Sequence, residues 1–143
     1  MRKLMRSLLS KGSGNFHASE IEKNLREANE FDEPTRNACA RDLFLTYCLL
    51  ETHRQNPDRE KKLKEILRYH TALRHKALRD GAGSRGDPLW NVASCMETVI
   101  QLELLGNVEQ AKEVKNALSA FVKENLSPSE MLEIRNLTVE QSA

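Results

Sequence analysis

Residues 87–106 read DPLWNVASCMETVIQLELLG, a whole helix with its own start and stop signals. Asp87 supplies a side-chain acceptor at the N-cap. Pro88 takes the first helical position, where a missing N–H costs nothing and the fixed φ suits a helix. Trp90, Val92, Met96, Val99, Ile100 and Leu104 recur at helical spacing, and Gly106 follows as a natural C′ residue. The same opening recurs at Asn56-Pro57 and Ser127-Pro128, and Pro34 follows Asp32 by two positions. No stretch alternates apolar and polar residues long enough to compete as a strand, so the chain reads as all-α.

Upstream, a capping box Ser19…Glu22 opens a short helix carrying Ile21, Leu25 and Ala28. After Asp32 a long helix is expected to about residue 55. Its centre, Leu43-Phe44-Leu45-Thr46-Tyr47-Cys48-Leu49-Leu50, is apolar almost all the way round, which predicts that it is the central and most buried element. Residues 57–79 carry Leu63, Ile66, Leu67, His70, Leu73, Ala77 and Leu78 as one stripe, interrupted by Arg74. Downstream, Asn107 is expected to cap a helix with Ala111, Val114, Leu118, Phe121 and Val122 on one face, and Ser127…Glu130 is a second capping box. These six to seven helices, joined by connections of one to eight residues, predict a single-domain antiparallel helical bundle or a short stack of helical hairpins. The helical domain is placed at residues 15–137, after a basic segment and Gly/Ser linker at 1–14 and before a tail at 138–143.

Residues 105–111, Leu-Gly-Asn-Val-Glu-Gln-Ala, resemble the turn between the two helices of a tetratricopeptide repeat. The resemblance is confined to these seven positions, and a shift of 34 residues yields no second copy. It implies a tight helical hairpin with a small residue at the crossing.

At 143 residues the chain has enough surface to bury a core without metal or disulfide staples. The formal charge of +1 conceals an uneven distribution: residues 1–87 hold 18 Lys/Arg against 13 Asp/Glu, whereas residues 88–143 hold 4 against 8. Such a split points to a partner surface or to an internal electrostatic match. Three cysteines with no CxxC spacing argue against a disulfide framework and a zinc site, and for reduced thiols in a soluble, cytoplasmic protein. No apolar run is long enough for a transmembrane segment. The basic amphipathic residues 1–11 leave organelle targeting open, with a docked first helix as the favoured reading.

The chemical motifs have simpler structural explanations. GAGSRG at 81–86 matches G-x-G-x-x-G, but that phosphate cradle requires a strand before it, and here it follows a helix. Arg85-Gly86-Asp87 is also the integrin tripeptide, whose recognition needs an extracellular loop that nothing in these residues leads one to expect, and Asp87 is explained as an N-cap. A di-iron bundle needs Glu-x-x-His pairs, which the sequence lacks. Cys39 and Cys48 diverge by about 180° on one helix and cannot chelate one ion from it. All three thiols have apolar neighbours, which make a thiol inert. His70 reads as a hydrogen-bonded core histidine. Arg74 and Glu103 interrupt apolar faces and are expected either in a buried ion pair or as snorkelling side chains, with Asp42 the best partner for Arg74. No catalytic residue, cofactor or metal is expected.

One surface signal is coherent. Lys61, Lys64, Arg68, His75 and Arg79 project within about 60° of each other and extend for roughly 27 Å along the helix axis. They are the expected binding residues of a small, non-enzymatic interaction protein, an adaptor or regulator contacting an acidic protein surface. A nucleic-acid-binding module using the same helix on phosphates is the alternative. An enzyme or carrier with an interior polar site at His70, Arg74 and a thiol ranks below both, and a homodimer is a further possibility through the apolar 43–50 helix.

Overall fold

The computed structural model describes the backbone of residues 14–80 and 87–142 and the side chains of 19–80 and 87–139. The described residues form six helices and no strand: α1 (Gly14–Asn29), α2 (Glu33–Thr52), α3 (Arg59–Asp80), α4 (Pro88–Leu104), α5 (Val108–Asn125) and α6 (Pro128–Ser142). The chain is an all-α helical bundle. The expectations for residues 1–13 and for the 81–86 loop, including its phosphate-loop and integrin motifs, lie outside the described residues.

Most helix ends follow the capping chemistry. Asp32 accepts from the Thr35 N–H at 3.0 Å and Asp87 from the Leu89 N–H at 2.8 Å, each with proline in the first turn. Ser127 and Glu130 form a reciprocal box: the Glu130 N–H donates to Ser127 Oγ at 3.2 Å, and the Ser127 N–H donates to Glu130 Oε1 at 3.3 Å. At the end of α4 the Gly106 N–H donates to the Glu103 carbonyl and the Asn107 N–H to the Leu102 carbonyl, with Gly106 at φ +80°. This is a Schellman closure, and its left-handed residue is one that glycine adopts without a Cβ penalty. The tight α4–α5 hairpin implied by residues 105–111 is thus present.

Four boundaries differ from the sequence reading. Ser19…Glu22 does not open α1, which begins at Gly14; no glycine or proline lies between 15 and 29 to stop the helix extending backwards. Asn56 Oδ1 accepts from the Asp58 N–H at 2.8 Å, capping a turn, and α3 begins only at Arg59. Asn107 makes no side-chain cap bond to α5. Residues 138–142 are the end of α6, not a tail, and Thr138 is fully buried.

The central element is α4, not α2. Helix α4 packs against α1, α2, α3 and α5. Eleven of its 17 residues are buried, against five of 20 in α2. Leu45 and Leu49, which project away from Leu43, are only partly covered. The physical reason lies in composition. Between Pro88 and Leu104 the only charged residues are Glu97 and Glu103, and both find cationic partners, so every face of α4 can be enclosed. Helix α2 instead carries Arg36, Arg41, Asp42 and Glu51, which need water or exposed partners. The core gathers Leu43 from α2, Leu63 from α3, Met96, Ile100 and Leu102 from α4, and Leu118 from α5.

The successive helices α3 and α4 pack antiparallel, while helices that are not successive can run parallel. Arg41 meets Glu130, and Cys48 lies near Arg135, so contacts advance in the same direction along α2 and α6. These two helices run parallel. No described helix is long and apolar enough to cross a membrane.

Candidate functional site

Helix α3 divides its cations between two faces. Arg59 and Arg74 turn inward to the carboxylates of α4. Glu103, whose side chain is 7% exposed, is held by both Arg59 and Lys115 of α5. Arg74 Nε donates to Glu97 Oε2 at 2.7 Å and its Nη2 to Oε1 at 3.4 Å, while the Thr71 hydroxyl donates to Oε1 at 2.7 Å. Asp42 is therefore not the partner of Arg74. The expectation pairs α3 with the preceding helix, whereas α3 packs most extensively on α4 and sets Arg74 beside Glu97. Between Pro88 and Leu104 the only acids are Glu97 and Glu103, and Glu103 is already held by Arg59 and Lys115. Substituting Arg74 by methionine leaves the buried Glu97 with only Thr71. Because Arg74 is partly solvated, the expected cost is about 1–2 kcal/mol, less than for a fully buried pair, measured by chemical denaturation.

Arg59–Glu103, Arg74–Glu97 and Arg41–Glu130 each join the cation-rich first 87 residues to the acid-rich remainder. The charge split is in part an internal electrostatic match. Among the cations that the match leaves over, a coherent group lies on the outer face of α3.

Lys61, Lys64, Arg68, His75 and Arg79 are all exposed on that face. Among the described residues Lys61, Arg68, His75 and Arg79 form no ion pair, although the Arg68 Nε–H donates to the Lys64 carbonyl at 3.4 Å. Lys64 departs from the pattern, pairing with Glu60 at 3.0 Å; both side chains are more than half exposed, and such a pair is worth little. Tyr69, half exposed beside Arg68, donates its hydroxyl to Asp42 Oδ1 at 3.0 Å. The outer face thus offers a line of cations with one aromatic ring tethered among them.

The interior polar residues do not assemble into one site. His70 is fully buried, as a core histidine should be, with Nε2 2.8 Å from the Thr46 hydroxyl. The Thr46 hydroxyl donates to the Asp42 carbonyl at 2.9 Å, so the imidazole must be the donor to Thr46, and Nδ1 is left as an acceptor. Nδ1 lies 3.8 Å from Asp42 Oδ2, and among the described residues neither atom has another partner. This is not a working ion pair. Burial lowers His70 to about 4, keeping it neutral, and burial raises the Asp42 carboxyl above its ordinary value against the hydrogen bond from Tyr69. Thr46, His70 and Asp42 are in the order of a nucleophile, base and orienting acid, yet Thr46 and His70 are closed off from solvent and the hydroxyl is already committed.

Arg74 turns to Glu97 rather than to His70. A cleft of about 470 Å³ lined by Leu49, His53, Lys62, Glu65 and Tyr69 includes neither His70 nor Arg74. Burial pushes the thiols of Cys39 and Cys95 up to about 12 and raises that of Cys48, so at neutral pH these are protonated thiols. Among the described residues no group of three His, Cys, Asp or Glu side chains stands close enough together to hold a metal ion. Trp90 is partly buried at the start of α4, with a buried indole N–H that has no partner among the described residues.

Comparison with protein-family models, with curated proteins and with solved structures gives no match.

Proposed function

We propose that this chain is a small interaction protein, without catalytic activity of its own, that presents the outer face of α3 to an acidic surface on another protein. The observation that carries the reading is the division of cations on that one helix. Arg59 and Arg74 are consumed by core carboxylates, while Lys61, Arg68 and Arg79, with His75 on the same face, stand exposed and form no ion pair among the described residues. An unneutralised line of charge steers an acidic partner and fixes its register. A protein surface is favoured over a phosphate backbone because the line offers only Tyr69 for stacking, and the tyrosine hydroxyl is tied to Asp42.

Reversing Lys61, Lys64 and Arg68 to glutamate is expected to leave the melting temperature nearly unchanged, since each position is exposed and such changes shift stability by less than about 0.5 kcal/mol. The affinity for the native partner, recovered from the source cell and identified by mass spectrometry, is expected to fall. If the variant keeps every partner at unaltered affinity and salt dependence, the stripe is only a solubilising face. Nucleic acid carried through purification, with an affinity that falls steeply with salt and is lost in the variant, would instead favour the module that binds phosphates.

A further inference from the structure

Helices α5 and α6 part at Leu126-Ser127: α5 packs on α1, α2 and α4, while α6 packs chiefly along α2. An open groove remains between them, floored by Phe44 and Tyr47 of α2. Near the fork it widens to about 360 Å³ between Val122 and Lys123 of α5 and Met131 of α6. Further along, a stretch of about 150 Å³ is bounded by Cys48, Arg135 and Val139. Phe44, Tyr47 and Glu51 line both stretches, so they are parts of one channel. Its walls run from Lys115 to Lys123 and from Met131 to Val139, roughly 12 Å or two helical turns each. On the α6 wall Val139 is 55% exposed, and on the flank of the same helix Leu132 is 59% exposed.

The rim carries a definite charge. Lys123 and Arg135 are exposed and form no ion pair among the described residues, and Lys115 adds a third cation, already shared with Glu103. The one acid in the lining, Glu51, is engaged by Arg54 at 3.3 Å. We infer that this groove receives an amphipathic helix of a partner protein, with leucine-like residues on its inward face and Asp or Glu along its flanks. An apolar floor between two helical walls is the shape that accepts a helix by its i, i+3, i+4 and i+7 side chains. The charge selects the occupant. Residues 1–11 of this chain supply apolar Leu4, Met5, Leu8 and Leu9, but also Arg2, Lys3 and Arg6 with no acidic residue, which the rim would repel. A second copy docking the same groove symmetrically would set Lys123 and Arg135 against their own counterparts. Only an acidic helix satisfies floor and rim together. Neither Lys61 nor Arg68 lines this channel, so the inference stands apart from the α3 reading.

The test uses two synthetic helical peptides of about 18 residues, or five turns. Both carry the same leucines at i, i+3, i+4 and i+7; one is flanked by glutamate and the other by lysine. Fluorescence anisotropy with the full chain is expected to show saturable binding of the glutamate peptide only. The double variant Lys123→Glu, Arg135→Glu should weaken it by about tenfold or more, and Val139→Asp should weaken it as well. All three positions are exposed, so both variants should melt like the parent protein. The Lys61, Lys64, Arg68 triple reversal should leave peptide affinity unchanged, so failure of the α3 reading would not register here. Equal binding of the two peptides, or binding of neither, would overturn the inference. So would sedimentation of the chain as a dimer that Val139→Asp dissociates, since a second copy would then fill the groove.

Discussion

Replacing Ile100 with alanine is expected to destabilise the fold by about 2–5 kcal/mol, whereas Leu45→Ala should cost about 1 kcal/mol. Ile100 is fully enclosed in α4, the helix that touches four of the other five, so its deletion leaves a cavity that no single neighbour can collapse to fill. Leu45 is on the partly covered side of α2, where water already reaches the site and the removed methyl groups lose less. Urea unfolding followed by circular dichroism decides the matter through the shift in midpoint at constant slope. Should Leu45→Ala prove the costlier change, α2 is the organising helix after all.

That pair of substitutions also marks where the sequence was legible and where it was not. Proline after a capping residue is a local signal, decided by φ and one missing N–H, and it placed the starts of α4 and α6 to the residue. The Schellman glycine after α4 was equally readable. Centrality is not local. The run from Leu43 to Leu50 is more continuously apolar than any segment of α4, yet burial depends on where the charges of the whole helix can go. In α4 they go to Arg59, Lys115 and Arg74, from two other helices. Those pairings become visible only once the hairpin register is known. The same gap hid the partner of Arg74 and the α5–α6 groove, whose lining is drawn from three helices with no shared sequence pattern. The exposed α3 stripe was readable because its members sit on one helix, where 100° per residue fixes their direction.

Acidification is expected to weaken the fold through His70, by about 3 kcal/mol between pH 6.5 and about 4. The sign follows from which state binds the proton. In the unfolded chain the imidazole titrates near 6.5, while in the folded core burial delays protonation to about 4. Across that window the unfolded state holds more protons, so stability rises with pH and is lost as pH falls. Asp42 opposes this. Its carboxyl is raised from 3.8 by burial, so above that value the folded state holds the extra proton and stability falls as pH rises towards the folded pKa. The phenol of Tyr69, also facing this cluster, is pushed up to about 12 by partial burial and by Asp42, and stays neutral throughout. Two variants separate the contributions. His70→Leu keeps the volume, and the Thr46 hydroxyl still donates to the Asp42 carbonyl, so no new donor is stranded. Denaturation midpoints of this variant should lose the decline from pH 6.5 to 4 that the parent protein shows. Asp42→Asn retains an acceptor for Tyr69 and should steepen the decline, because the opposing carboxyl no longer titrates. A parent protein whose midpoint is flat between pH 6.5 and 4, with Asp42→Asn equally flat, would mean that the imidazole protonates as readily in the folded state as in the unfolded one without help from the Asp42 carboxylate; a flat parent with a decline only in Asp42→Asn would mean instead that Nδ1 and the carboxylate form a true ion pair.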